Sequence, residues 1–334
     1  MRKFFINLVC FSILPFFIIG TFIYFYIKRD VYQDFGTHKN YSWKYYYQPL
    51  GDVSTKKLLN SSIQYNSFIF GSSRTCSLHA CYLQKKISNS SFFHYANWNE
   101  TVGGVYAKMN LLDSLGYRMD NVFIFFDTDG TFANDGKCHD DYYLLTNESR
   151  FDYYFNHLKD FIPPNLDSTK FKLLFFNEVN KEAFPNWESD IRTNDSNHNC
   201  SDSTISSYGY QEFGKNYIDK IDSLKRTGFL YSRSKKELFI EKQISPYEYT
   251  MMFKICNLLK KHKSHYYIVI TPLYDQLKFD AMDMQLIKNV FGDNVYDFSG
   301  INRITDNECN YPDKKHFLPY VSKTIVDSII NSRQ

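Results

Sequence analysis

One short apolar run constrains this chain more than any other feature: it stops at a glycine and hands two serines to a helix. In Asn66-Ser-Phe-Ile-Phe-Gly-Ser-Ser-Arg-Thr75, the residues Phe68, Ile69 and Phe70 form a continuous apolar strand signal. Runs this short and unbroken suit a strand buried on both faces of a parallel sheet. Gly71 permits a tight turn from strand to helix. Ser72, Ser73 and Thr75 are the residue types that cap a helix start, and the helix is predicted over about 75–86. The same phrase recurs. Phe92–Ala96, Val122–Phe126, Tyr266–Ile270 and Val295–Phe298 are further strand signals, separated by helical periodicity near 102–115, 246–262 and 279–291. Gly116 closes the first of these helices. Phe317, Val321, Ile325 and Ile329 repeat every four residues and mark a final amphipathic helix. Strands alternating with helices imply an α/β fold. The expected fold is a flavodoxin-like, doubly wound parallel sheet, with a crevice flanked by the ends of strands one and three.

The third strand signal ends in Asp127-Thr-Asp-Gly130, and the C-terminal part carries Tyr311-Pro-Asp-Lys-Lys-His-Phe317, an Asp-x-x-His pair just before the last helix. A serine hydroxyl is a weak nucleophile unless a base takes its proton. An imidazole is the side chain suited to that near neutral pH, and a carboxylate orients it and stabilises its cation. Ser73, His316 and Asp313 therefore make a nucleophile, a base and an orienting acid. Ser72 is the rival nucleophile, but its spacing from Gly71 favours a capping role. Arg74 follows the nucleophile directly and is a candidate for binding an anionic substrate group. Pairing of that arginine with Asp127 or Asp129, at the same sheet edge, is the competing reading. Trp98, near that edge, is suited either to stacking on a sugar or to plain packing.

With these blocks in place the chain resembles the SGNH/GDSL hydrolases. It is most similar to the membrane-anchored branch that includes the D-alanyl-transfer protein of teichoic acid synthesis and the polysaccharide O-acetyltransferases. The family's Gly-Asp-Ser block is matched by Gly71-Ser72-Ser73, and its Asp-x-x-His block by Asp313 and His316. The resemblance runs from about Asn66 to the C-terminus, around a divergent middle at about 131–245. It implies serine-dependent acyl-ester chemistry, as an esterase or an O-acyltransferase, on an envelope glycan, teichoic acid or lipid. It also implies an oxyanion hole built from the Ser73 N–H, a glycine N–H and an asparagine side chain. The second block here, Asn97-Trp-Asn-Glu-Thr101, lacks the glycine, and Asn99 is the candidate that replaces it. The third block, Asp127-Thr-Asp129, lacks the asparagine, so Asp127 and Asp129 stand as substrate-side candidates. A rival from another class is an SGNH-like module without catalysis, which binds glycan or scaffolds an acylation complex. The resemblance also implies a multi-pass membrane acyltransferase as partner. It calls for no cofactor and no metal.

Met1-Arg-Lys precedes a run from Phe4 to Ile27 without a charged residue. That length suffices to cross a bilayer as a helix, and Lys28 and Arg29 follow at its end. A signal peptide would carry a shorter apolar core and a small-x-small cleavage site, which this stretch lacks. The expected organisation is a transmembrane anchor over 1–29, a juxtamembrane stalk over 30–65 and the α/β domain over 66–334. Charge does not orient the anchor, since Lys and Arg stand on both sides of it. The resemblance places the large domain on the extracytoplasmic side of a single-pass cell-membrane protein. A formal net charge of +3 over 334 residues gives no argument for nucleic acid. Seven cysteines at irregular spacing match neither a zinc site nor a redox motif. Cys76 and Cys81, if both sat on one regular helix, would stand roughly 8–9 Å apart at the Cα atoms, beyond disulfide reach. Cys138-His-Asp-Asp141 reads as a solvated loop, because adjacent residues do not readily converge on one ion.

Overall fold

A computed structural model describes residues 2–32, 34–35, 50–95, 97–132, 138, 142–146, 148–176, 217–228 and 230–332. Most of the 36–49 segment's expected stalk, the polar run from Thr193 to Ser207, and His139 to Asp141 lie outside them. Two compact units form. One comprises Met1–Gln48 with Glu148–Pro185, the other Pro49–Asn147 with Asn186–Gln334.

The second unit holds a five-stranded, all-parallel sheet made of β1 (Ser67–Phe70), β2 (Phe92–His94), β3 (Asn121–Phe126), β5 (His265–Ile270) and β7 (Val295–Asp297). Their order across the sheet is β2-β1-β3-β5-β7. Two-residue strands β4 (Leu238–Phe239) and β6 (Leu277–Lys278) pair separately. Side-chain alternation divides the core between the faces. Phe68, Phe70, Val122, Ile124, Phe126, Ile268 and Ile270 point into one apolar layer. Ile69, Phe123, Phe125, Tyr267 and Val269 point into the other. Helices cover both layers, which is why these strands carry no polar alternation. The first layer is covered by α4 (Val102–Ser114), α8 (Pro246–Lys261) and α9 (Ala281–Phe291), through residues such as Met109, Ile255 and Ile287. The second is covered by α3 (Ala80–Lys86) and α10 (Pro319–Asn331), through Leu83, Val321, Ile325 and Ile329. A further helix, α7, spans Tyr217–Arg226.

Three local expectations change. The single helix expected near 75–86 is a 3-10 turn, Ser73–Ser77, followed by α3, with Leu78 and His79 extended between them. Side-chain bonds compete with helical ones here: Thr75 Oγ1 donates to Ser72 O at 2.7 Å and Ser77 Oγ to Arg74 O at 2.8 Å. Cys76 and Cys81 thus do not share a regular helix, and the distance argument against their pairing lapses. Cys81 is disulfide-bonded, while Cys256 and Cys309 are free thiols. Next, Leu50–Leu59 within the expected stalk is a helix, α2, whose Leu58 joins the first apolar layer. Thr55 Oγ1 also meets the Tyr95 hydroxyl at 2.7 Å beyond β2.

The third concerns the divergent middle, expected within the 66–334 domain. Its helices α5 (Arg150–Lys159) and α6 (Ser168–Phe176) belong to the first unit, with α1 (Arg2–Arg29), while α7 belongs to the second. There Tyr26, Val31, Tyr32, Phe161, Leu173 and Leu174 form a small core. Within α1, Phe11–Arg29 is long and apolar enough to cross a membrane, by length and composition.

Candidate active site

Parallel strands bring their C-terminal ends to one edge, and three of them end in polar residues there. Beyond β1 the chain turns at Gly71. A Cβ on this residue would lie 2.4 Å from Thr75 Cγ2 and 3.0 Å from Phe125 Cβ, so the turn has no room for a side chain. Ser72 then caps the 3-10 turn by accepting the Arg74 N–H at 3.3 Å. Its hydroxyl also donates to Asp127 Oδ2, beyond β3. Thr271, beyond β5, donates to Asp127 Oδ1 at 2.6 Å. Asp127 is thereby buried and shared among three strand ends.

Ser73, half-buried, is left facing the last loop of the domain. Its Oγ lies 2.9 Å from His316 Nε2, although the two residues are 243 positions apart. Asp313 Oδ2 and Oδ1 lie 2.9 and 3.1 Å from His316 Nδ1. Asp313 Oδ1 also accepts the backbone N–H groups of Lys315 at 2.7 Å and His316 at 2.9 Å. This Asx-type turn fixes the imidazole relative to the carboxylate through the backbone itself. The loop is held at both ends by apolar burial of Tyr311 and Phe317 and by the Leu318 N–H donating to Asn310 O at 2.9 Å. Burial pushes the Asp313 carboxyl up, but hydrogen bonding and charge from His316 and the two amides outweigh it, so it sits below its ordinary value. A proton on Nδ1, held by that carboxylate, leaves Nε2 to accept the Ser73 hydroxyl. Sequence distance notwithstanding, the nucleophile, base and acid expected from the sequence stand in one line.

Arg74, a candidate for binding an anionic substrate group, is buried instead against partners within the domain. Its side chain is 7% exposed, and its Nη1 lies 2.9 Å from Asp127 Oδ2 and 2.7 Å from Asp129 Oδ1. Nη2 donates to Asp129 Oδ2 at 2.8 Å, and Nε donates to the Lys315 carbonyl. The guanidinium is occupied by two carboxylates and by the Asp-x-x-His loop. Burial opposes its charge, yet the carboxylates hold its pKa above the ordinary value. Of the three substrate-side candidates, Arg74 and Asp127 are thus internal, and Asp129, with a side chain 32% exposed, reaches the surface. Burial, abetted by the charge of Asp129, raises the nearby Asp275 carboxyl beyond β5, against the hydrogen bond from the Leu277 N–H.

The oxyanion candidates are arranged less simply. The Ser73 N–H donates to the Trp98 carbonyl at 3.3 Å. Asn99 lies on the exposed turn that follows Trp98. Asn97 is buried, with its N–H donating to Gly71 O at 3.2 Å and its side-chain oxygen accepting the Trp98 N–H at 2.8 Å. The second block therefore lies directly on the serine turn, with a carbonyl where a developing oxyanion would need a donor. Behind it, Glu100 and Lys108 form a fully buried ion pair, and Lys108 Nζ lies 5.1 Å from the Tyr95 ring centroid.

Sequence reasoning missed four contributors: Thr271, the Trp98 carbonyl, the Lys315 carbonyl and His94, whose Nε2 lies 2.7 Å from Thr75 Oγ1 under the serine turn. Thr271 carried a signal, being the polar residue that ends an apolar run, like Ser72 and Asp127. The two carbonyls carried none, because every residue has one. Among the described residues no group of three or more His, Cys, Asp or Glu side chains converges as metal ligands do. No family model matches the chain, and no curated protein matches it.

Proposed function

We propose that this chain is a membrane-anchored, serine-dependent acyl-ester hydrolase or O-acyltransferase with a flavodoxin-like, SGNH-type domain. The single observation that carries the reading is the line Ser73 Oγ–His316 Nε2–Asp313, with separations of 2.9 Å in each step. As Ser73 Oγ attacks an acyl carbonyl, His316 Nε2 takes its proton and Asp313 stabilises the imidazolium. The carbonyl carbon gains a bond to Oγ, the donor's ester C–O bond breaks, and His316 returns the proton to the departing alcohol. An acceptor hydroxyl or water then reverses these steps and frees Ser73. Hydrolysis and transfer differ only in which hydroxyl enters.

Two further observations support the setting. Phe11–Arg29 has the length and apolarity of a membrane span. The Cys81 disulfide suits an oxidising compartment, hence an extracytoplasmic domain in the cell membrane. A glycan, teichoic acid or lipid ester of the envelope, and a multi-pass acyltransferase as partner, follow from that placement and from the family resemblance. No cofactor enters the proposed steps.

The bond from the Ser73 N–H to Trp98 O favours a second reading, a module that keeps the fold and binds glycan without turnover. Catalysis requires that bond to open, so that the N–H can face the oxyanion. A fluorophosphonate probe on the full chain separates the two. Labelling is expected in wild type, is lost in Ser73→Ala and His316→Ala, and is largely kept in Ser72→Ala, with melting curves confirming that each variant folds. Equal labelling of wild type and Ser73→Ala would reject the nucleophile. No labelling of folded wild type would favour the binding module.

A further inference from the structure

The helix α6 carries large aromatics on its surface at a place where the anchor leaves the bilayer. Arg29, the last residue of α1, donates from Nε to Leu174 O at 3.0 Å and from Nη2 to Phe175 O at 3.3 Å. These are carbonyls of the last turn of α6, where a cation is favourable. Rings then run outward without a gap. Phe25 of α1 lies 5.4 Å from Phe175, Phe175 lies 4.7 Å from Phe171, and Phe171 lies 6.2 Å from Phe176, centroid to centroid. Phe25 and Phe175 are partly covered by the small core, but Phe171 is 45% exposed and Phe176 64% exposed.

Depth decides what meets those rings. A hydrocarbon core of ~30 Å takes about 20 helical residues. The uncharged run ends at Ile27, and Lys28 and Arg29 follow, so the hydrocarbon core ends at or before Ile27. Arg29 then stands at least about 3 Å beyond the core, at ~1.5 Å per residue, and Phe25 lies close to its boundary. The polar headgroup layer on each side is roughly 5–7 Å thick. The last turn of α6, bonded to Arg29 and edge-on to Phe25, falls at that level. Phe171 and Phe176 expose apolar rings there, and exposed Lys172 between them has a long apolar stem under its charge, so these side chains suit a boundary that is apolar on one side and wet on the other.

We infer that the Phe171–Phe176 face of α6 is embedded in the headgroup layer of the membrane that α1 crosses, so that lipid is its occupant. The inference rests on the anchoring proposed above. It makes the first unit a two-point mount, a spanning helix and an interfacial helix joined by Arg29.

The test uses the full chain in native membranes, with photoactive benzoylphenylalanine replacing one residue at a time: Phe171, Phe176, Phe16 or Phe253. Phe16 is 73% exposed on α1 and reports the span, while Phe253 is 52% exposed on α8 and sets the background. The expected result is lipid adducts at Phe16, Phe171 and Phe176, several-fold above the Phe253 level. Adducts at Phe16 alone would overturn the inference and leave the anchor standing. Protein adducts in place of lipid at Phe171 and Phe176 would also overturn it, since another chain would cover the face. Background levels at Phe16 would overturn the anchor, and the inference with it.

Discussion

The Ser72 hydroxyl donates to Asp127 and accepts the Arg74 N–H, whereas the Ser73 hydroxyl, one residue on, meets His316 Nε2 at 2.9 Å. Adjacent serines thus meet different partners across the turn at Gly71, Ser72 the buried Asp127 and Ser73 the imidazole proposed as its base. Asp313 likewise serves twice, orienting the imidazole and capping its own loop. Its folded pKa lies below its ordinary value, so the folded state binds fewer protons at this site than the unfolded chain does. Its stabilisation is therefore complete above about pH 4–5 and is lost as pH falls through the depressed value. Urea midpoints should show wild type more stable than Asp313→Asn at pH 7, with the gap narrowing as the pH falls through the depressed value. A gap that held or widened in acid would mean that Asp313 is not ionised in the folded site. At neutral pH the same variant should label more slowly than wild type but faster than His316→Ala, since an amide still accepts from Nδ1 without stabilising the cation.

At the scale of elements, Arg74 joins the end of β1, the end of β3 and the loop that carries His316. It ties the His316 loop to the serine turn, and its buried carboxylate partners leave it no role as a substrate contact. Removing one partner of a buried ion pair leaves the other uncompensated, at a cost of about 3–5 kcal/mol. Arg74→Ala should lose stability of that order in urea denaturation. A loss under ~1 kcal/mol, the range of exposed pairs, would show that the pair is solvated in solution. The strands themselves were legible in the sequence, because Phe68–Phe70, Val122–Phe126 and Tyr266–Ile270 are continuous apolar runs ended by Gly, Asp and Thr. The serine helix was not, because Thr75 and Ser77 turn their hydroxyls back onto the backbone and stop it after a single 3-10 stretch. Nor was α2, whose ten residues from Leu50 to Leu59 carry too few apolar positions to show a period.

For the whole molecule, the reading of α1 as a span makes a topological prediction. Protease added to intact spheroplasts should degrade the sheet domain and leave a short membrane-held fragment containing α1. A protected domain, or a mature chain beginning after Gly20, would reject the anchor with its domain outside. Much of the architecture follows from sequence alone. Apolar runs buried on both faces demand a covered parallel sheet, and parallel strands place every strand end at one edge, where Ser72, Asp127 and Thr271 converge. The Asp-x-x-His turn is also local, since three residues suffice for Asp313 to reach its own His316. Only the tertiary structure decided that this turn meets Ser73, that Arg74 is spent inside on Asp127 and Asp129, that Trp98 O holds the Ser73 N–H, and that α6 seats on Arg29. Each of those is a contact between remote segments made by a backbone group or a charge. Periodicity reports only which face of an element is buried, and the choice of partner is made when the packed layers meet.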